Sequence, residues 1–268
     1  NYGGRGSMEF NPFNNVENTP SVGENLLLTL SPAKFDIFSK TLSLFEKSAE
    51  SIKIQNSNII QKFGPAIITA DITPLFEKEV SLEIVQPKKY IKLFKQFKNN
   101  VDINFIEDNG NNRYIITNDE IKLFLPKQAV VTNEEDGLMP DFEGSVGLFE
   151  IKIDKEVSKQ LVGLSSDVNF VEYLVQNDLL KGIHIPETAI YLFSDYLKDT
   201  DAKTLDETNA DLTLRTGIFL GVNAESYTIQ IGKLANGNHF SYTECDTGMV
   251  KVNVFENLEV TTGGNLLI

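Results

Sequence analysis

Two segments in the first half of the chain have apolar residues at helical spacing. The first covers residues 32–48, with Ser31 placed as its N-cap. Its apolar positions are Phe35, Phe38, Leu42 and Phe45. The second begins at Pro87 and ends at the pair Asn99-Asn100, which predicts a helix of about three turns. Its predicted buried positions are Tyr90, Leu93, Phe94 and Phe97. Each segment is predicted to be an amphipathic helix that packs on a sheet.

Between and after these helices the chain contains short runs rich in Ile and Val, separated by Asn, Gly and Pro. The predicted strands of the first half are residues 51–54, 58–62, 66–72, 81–85, 101–107, 113–117 and 121–125. Asp108-Asn109-Gly110 is a hairpin signal between two of them. The predicted order is therefore helix, strands, helix, strands.

Residues 127–147 are acidic and interrupted by glycines and Pro140, which predicts a connector. Beyond it the order starts again, with a strand at 148–153, a helix at 154–166 capped by Asp154, and further strands at 170–176, 182–185, 227–232, 239–244 and 249–255. Residues 212–221 are a candidate for a second helix. We therefore predict similar domains at residues 8–126 and 148–260, a vector-derived segment at 1–7 and a tail at 261–268.

Charge is unevenly distributed along this chain of 268 residues. The formal net charge is −14, yet residues 87–99 contain five lysines and no acid. At 100° per residue, Lys88, Lys92 and Lys95 lie on one side of the second helix, with Lys89 at their edge. A local basic stripe on an acidic protein predicts a surface that faces a polyanion. A solvated lysine face on an ordinary amphipathic helix is the alternative.

Several classes of site lose support from the sequence. A lone Cys245 and the absence of Asn-x-Ser/Thr favour a reducing, intracellular compartment, and no apolar run reaches the length of a membrane span. No phosphate-binding loop, dinucleotide fingerprint, HExxH or CxxC occurs. We expect a protein that is not an enzyme and has no cofactor or metal. An enzyme site built from dispersed carboxylates (Asp71, Asp102, Asp119) stays open as an alternative.

The layout resembles the sliding clamps, the ring-shaped DNA polymerase processivity factors, and most of all those of tailed phages. The segment KFDIFSKTLSLFEKSAESIKIQNSNIIQ resembles the first helix and hairpin of a clamp, and AIITADITPLF resembles a following strand and turn. EDNGNNRYIITNDEIKLFLPK resembles a late hairpin, and FEIKIDKEVSKQLVGLS resembles the opening of the second domain.

This resemblance implies an α+β fold of two similar clamp-like domains, with helices packed on antiparallel sheets. It also implies a homotrimeric ring in the cytoplasm, or the host cytoplasm for a virus. Helices would line the hole and the sheets would form the outer wall. The implied partners are double-stranded DNA, bound independently of sequence, a DNA polymerase and a clamp loader. The implied DNA-facing residues are Lys40, Lys47, Lys88, Lys89, Lys92, Lys95, Lys155 and Lys159.

Clamps also dock partner proteins near the connector, and the apolar residues available there are Leu138, Met139 and Phe142. For Phe142 an equally good reading is that the ring attaches the connector to its own domain. A different function class also fits the composition: an acidic, β-rich viral structural or assembly protein. The basic helix discriminates between the two, because an assembly protein does not require lysines gathered beside an apolar face.

Overall fold

The computed structural model describes residues 23–46, 50–98, 100–128, 139–153, 156, 171–176, 179–185, 190–193, 203–204, 212–216 and 224–262. The helices whose bounds lie within these residues are α1 (Pro32–Ser43) and α2 (Pro87–Phe94), with a 3₁₀ turn at Thr73–Leu75. The strands of the first half are β1 (Glu24–Leu30), β2 (Ser51–Gln55), β3 (Asn58–Phe63), β4 (Ala66–Asp71), β5 (Leu82–Val85), β6 (Ile103–Asp108), β7 (Arg113–Thr117) and β8 (Lys122–Pro126). Those of the second half are β9 (Val146–Ile153), β10 (Val171–Gln176), β11 (Leu179–Ile185), β12 (Ile190–Phe193), β13 (Lys203–Thr204), β14 (Leu212–Thr216), β15 (Ser226–Lys233), β16 (His239–Asp246), β17 (Lys251–Asn257) and β18 (Glu259–Thr262).

Helix α1 begins at the predicted residue with the predicted cap, but it ends at Ser43 rather than at Ser48. The Ser31 hydroxyl accepts a hydrogen bond from the Lys34 backbone N–H at 3.4 Å, which satisfies one of the free donors of the first turn. The side chains at the predicted apolar positions are fully or almost fully buried: Phe35, Phe38, Leu42 and Phe45. The helix therefore packs with the face that its apolar spacing defines.

Helix α2 differs from the prediction in length and in one buried position. It ends at Phe94, so it has about two turns rather than three. Leu93 is 37% exposed, and Ile91 is buried instead. Ile91 is 60° from the well-packed Phe94 around the helix, whereas Leu93 is 100° away in the opposite direction, beside Lys89. Packing against the neighbouring helix centres the buried face on Phe94.

The first half contains a four-stranded antiparallel sheet in the order β1-β6-β7-β8. The predicted hairpin at residues 108–110 is confirmed, because Asp108 pairs with Arg113 where β6 turns into β7. Strand β1 was not predicted. Its sequence ENLLLTL has no regular alternation of apolar and polar residues, and the register shifts between Leu26 and Leu28 as at a β-bulge.

A nine-stranded sheet joins the two halves, in the order β13-β9-β15-β16-β17-β4-β3-β2-β5. The joining pair is β17 with β4, which run antiparallel from Lys251 opposite Asp71 to Glu256 opposite Ala66. A five-stranded sheet, β12-β11-β10-β14-β18, completes the second half. The core cluster runs from β1 to residue 258 and includes α1 and α2. The domain boundaries at residues 127 and 147 stay a prediction.

The pairing orders show an internal repeat. The order β1-β6-β7-β8 of the first half is matched by β9-β15-β16-β17 in the second, and β5-β2-β3-β4 is matched by β14-β10-β11-β12. The candidate helix at 212–221 is wrong for residues 212–216, which form strand β14 between β10 and β18. Its sequence LTLRT alternates with period 2 and contains two β-branched threonines, which suits a strand. The predicted helix at 154–166 lies outside the described residues except for Glu156.

Candidate nucleic-acid interface

Helices α1 and α2 lie side by side on one face of the sheet β1-β6-β7-β8. The Phe35 ring of α1 is 5.4 Å, centroid to centroid, from both Phe94 and Phe97. The rings of Phe35 and Phe38 also lie 6.1 Å and 5.7 Å from Phe105 of β6. Aromatic pairs at these distances are attractive and orientation-dependent. The two helices are thus held together and to the sheet by one aromatic cluster, which fixes where their outer faces point.

The four predicted lysines of the α2 segment all reach solvent. Lys88, Lys89, Lys92 and Lys95 are exposed, and residues 86–98 contain no acid. The Lys89 ammonium lies 5.1 Å from the centroid of the Tyr90 ring, a cation–π contact that holds it close to the helix. The exposed surface of the α2 segment therefore carries a local excess of positive charge within an acidic chain. We call these four residues the lysine face.

Lys40 of α1 is also exposed, but it is not a free cation. Its ammonium forms an i, i+4 ion pair with Asp36 at 2.6 Å, and both side chains are largely in solvent. Such exposed pairs contribute little to stability. Their two opposite charges nevertheless largely cancel in the electrostatic potential far from the pair. Lys40 therefore adds less positive potential than a residue of the lysine face. Lys47, Lys155 and Lys159 lie outside the described residues.

A groove of about 680 Å³ adjoins the beginning of α2. It is lined by Lys88 and Lys89 of the helix and by Pro126 and Lys127 at the end of β8. The Lys127 ammonium contacts the Glu107 carboxylate and lies 3.0 Å from the Asn109 side-chain oxygen. Sequence reasoning placed Lys127 in the connector. Only the fold shows that it lies beside two residues of the lysine face.

The connector returns to the sheet at Phe142. Its ring packs against those of Phe240, Tyr242 and Phe255, with centroids 5.4, 6.0 and 5.8 Å away. This contact agrees with the reading in which Phe142 attaches the connector to its own half of the protein. Met139 is half-buried, and Leu138 lies outside the described residues. The partner-binding role of these three residues stays a prediction.

Among the described residues, the buried Cys245 and the half-buried His239 have shifted pKa values. Burial raises the pKa of the Cys245 thiol to about 12, so the thiol is protonated at neutral pH. Burial, and then the nearby Lys233, lower the pKa of His239. Within the described residues, no three His, Cys, Asp or Glu side chains are grouped to hold a metal ion. In the same residues, neither helix has the length and apolarity needed to cross a membrane.

The structure is similar to solved structures of PCNA over most of the chain. No family model and no curated protein matches the sequence. The A. fulgidus PCNA solved with the C-terminal region of FEN-1 has a TM-score of 0.58 at 11% identity and covers 88% of this chain and 99% of its own. PCNA from Entamoeba histolytica has a TM-score of 0.57 at 9% identity, covering 88% and 100%. The PCNA2-PCNA3 complex from Sulfolobus tokodaii has a TM-score of 0.54 at 12% identity, covering 87% and 98%.

At these identities the likeness shows the fold. The chain has the α+β fold of the PCNA sliding clamps, with clamp-like units of helices packed on antiparallel sheets. The predicted fold class is confirmed. These three structures are PCNA proteins and not phage clamps, so the predicted resemblance to tailed-phage clamps in particular stays a prediction.

Proposed function

We propose that this chain is a subunit of a sliding clamp that encircles duplex DNA and tethers a replicative polymerase. The observation that carries the proposal is the lysine face: four exposed lysines on α2 and at its C-cap, with no acid between residues 86 and 98, in a chain of net charge −14. A ring that places this face toward its hole attracts phosphates from inside and repels DNA from its acidic outside. Lysines that contact phosphates carry no sequence information, so the DNA can slide.

The internal repeat supports closure of a ring through two edge strands. Within the chain, β17 pairs with β4 and joins the halves. By the repeat, β8 occupies the place of β17 in the first half, and β12 occupies the place of β4 in the second. Both β8 and β12 are edge strands of their sheets. We infer that β8 of one subunit pairs antiparallel with β12 of the next, which also removes two unpaired edges.

Repeating that head-to-tail contact gives a closed ring if the rotation from one subunit to the next is a whole-number fraction of a full turn. The resemblance to clamps favours three subunits, and therefore a homotrimer of six clamp-like units. The same resemblance favours a phage source and action in the host cytoplasm. The polymerase and a clamp loader would dock near the connector, where Leu138, Met139 and Phe142 are the proposed contacts.

A topological assay tests this function. The protein is incubated with nicked circular DNA and the cognate polymerase and loader, and protein that stays on the circle is separated by gel filtration. A clamp is retained on the circle and released when a restriction enzyme linearises it, and sedimentation gives a mass of about 90 kDa, three times the 30.0 kDa of the chain. A protein that remains at 30 kDa and binds circular and linear DNA equally is not a clamp.

The competing function, an acidic assembly protein, is distinguished by the same measurements. Such a protein forms large assemblies in the absence of DNA and has no retention that depends on a closed circle. The charge distribution weighs against it, because the lysine face is concentrated on one helix rather than spread through the surface.

A further inference from the structure

An apolar row crosses the face of the sheet β1-β6-β7-β8 that is turned away from α1 and α2. Its members are paired residues of the four adjacent strands: Leu26 opposite Ile106, Ile106 opposite Ile115, and Ile115 opposite Phe124. Neighbours in each strand point to the other side, as shown by Phe105, which contacts the aromatic rings of α1. We call these four residues the outer row.

The burial of the outer row is uneven. Ile106 and Ile115 are only 7% and 2% exposed, although neither belongs to the core cluster that includes the helices. Leu26 and Phe124, at the two ends, are 42% and 44% exposed. The Arg113 guanidinium lies 4.1 Å from the Phe124 ring and covers part of that end. A row that crosses four strands is about 14 Å long, and most of a face of this kind is normally covered.

The second half covers its corresponding face with the chain that precedes its first strand. Phe142 comes shortly before β9 and packs on Phe240, Tyr242 and Phe255, which lie outside the core cluster that includes the helices. The chain turns between Phe142 and β9, where Gly144 has a φ of +72° and the Ser145 N–H donates to the Phe142 carbonyl. Thus the phenyl ring of Phe142, just before β9, lies against the face of the sheet that β9 then joins.

The first half begins in a similar way. Gly23 directly precedes β1, has a φ of +102°, and its carbonyl accepts a hydrogen bond from the Asn109 N–H at 3.2 Å. A positive φ is readily adopted by glycine, as it is at Gly144 before β9. Leu26 of the outer row lies three positions further on. Residues 8–22 include five hydrophobic side chains: Met8, Phe10, Phe13, Val16 and Val22.

We propose that residues 8–22 fold back across the sheet β1-β6-β7-β8 and cover the outer row, with Phe10 and Phe13 in the role that Phe142 has in the second half. An extended chain covers about 3.3 Å per residue, so about five residues span the row and the segment is long enough. The occupant is therefore this chain's own N-terminal segment. The inference does not depend on the proposed function, because it concerns the face away from the lysine face.

A single tryptophan tests the proposal, because the natural chain has none. Leu26→Trp places the reporter on β1, at the opposite edge of the sheet from β8, so it does not report ring closure. Ile60→Trp, on β3 of the other sheet and 47% exposed, is the matched control. Each reporter is made in the full chain, in a chain lacking residues 1–17, and with Phe10→Ser/Phe13→Ser. Emission maximum and acrylamide quenching are measured for all six proteins.

The proposal predicts that the Leu26→Trp reporter is blue-shifted and protected from acrylamide in the full chain. Quenching should rise at least twofold on truncation and with the two serine substitutions, while the Ile60→Trp reporter does not change. Equal quenching of the Leu26→Trp reporter in all three backgrounds overturns the proposal. Protection that depends on protein concentration but not on the N-terminal segment also overturns it, because a second copy then covers the face. If the truncated chain fails to fold by circular dichroism, the serine variant decides.

Discussion

Phe35 of α1 and Phe94 of α2 pack with their ring centroids 5.4 Å apart, so the position of the lysine face depends on a contact buried beneath it. Phe94 terminates α2, and Phe35 also reaches Phe97 just beyond its end. A two-turn helix has little stability of its own, since short helices depend on tertiary packing. The charge pattern and the aromatic core are therefore coupled: the rings decide where the lysines point.

Phe35→Ala should destabilise the protein by about 3–5 kcal/mol, because it removes a buried ring and leaves a cavity between α1, α2 and β6. Urea denaturation followed by circular dichroism measures the loss. Lys92→Glu is the control, since its side chain is exposed and should change the free energy of unfolding by less than about 0.5 kcal/mol. Equal effects of the two substitutions would contradict the packing described for Phe35.

Lys92→Glu/Lys95→Glu should leave folding unchanged and shorten the products of primer extension by the cognate polymerase on a closed template. The variant should also flatten the log–log dependence of DNA binding on salt by about 1.8, at about 0.9 for each lost phosphate contact. The matched control is Lys62→Glu/Lys251→Glu, which makes the same charge change at exposed positions of the nine-stranded sheet. If both double variants lose processivity equally, net charge rather than the lysine face is responsible.

Gly232→Ala should destabilise the second half by about 1–3 kcal/mol. A Cβ at this position would lie 2.7 Å from the Phe240 ring and 2.8 Å from the Val146 carbonyl oxygen, so the ring on which Phe142 packs would have to move. Gly110→Ala is the comparison, because its Cβ would meet Asp108 at an ordinary 3.6 Å. Thermal unfolding of the two variants measures the difference, and a Gly232→Ala protein as stable as Gly110→Ala would show that the ring is not confined there.

Cys245 should not react with a thiol reagent at pH 8 while the protein is folded. Its pKa of about 12 leaves roughly one thiolate in ten thousand at that pH, and the side chain is fully buried. The raised pKa also makes the free energy of unfolding depend on pH. The contribution of the buried, protonated thiol to that free energy is complete below the unfolded pKa of 9.0 and is lost as the pH rises towards 12. Absorbance after addition of an aromatic disulfide, with and without urea, measures the exposure, and rapid reaction of the native protein would contradict this burial.

His239 should make stability depend on pH near neutrality. Its folded pKa is lowered, chiefly by burial, so the unfolded chain binds the proton more readily. The stabilisation is complete above 6.5 and declines as the pH falls from 6.5 through the folded pKa. Comparing the urea midpoints of the natural protein and His239→Gln from pH 7.5 to 5 measures this, and the two curves should approach each other as the pH falls. Parallel curves would show that His239 titrates normally.

Local patterns in the sequence were enough for many elements. The spacing of Phe35, Phe38 and Leu42 identified α1 with Ser31 as its cap, and the hairpin after Asp108 was correctly placed. These features depend on contacts within a few residues, or on a turn whose chemistry is local. The lysine face could also be predicted from the sequence, because the helical period alone determines which side of a helix each lysine occupies. Its four residues are exposed as the spacing predicts, while their contact with DNA stays a proposal.

Other features depended on partners distant in the chain. Strand β1 has consecutive leucines without alternation, and only its pairing with β6 makes it a strand. Leu93 and Ile91 exchanged places because Phe35 determines which side of α2 is buried. Residues 212–216 became a strand because β10 and β18 offer unpaired backbone groups on both sides.

By itself the sequence determined the elements with local periodicity, the uneven charge and the absence of familiar catalytic motifs, since each is set by neighbouring residues. Only the tertiary structure decided that β17 joins β4, that Lys127 lies beside Lys88 and Lys89, and that Phe142 packs on the second-half sheet. These contacts link residues far apart in the chain. Their partners are selected by competition among all available apolar surfaces and unpaired strand edges, and no local pattern records the outcome of that competition.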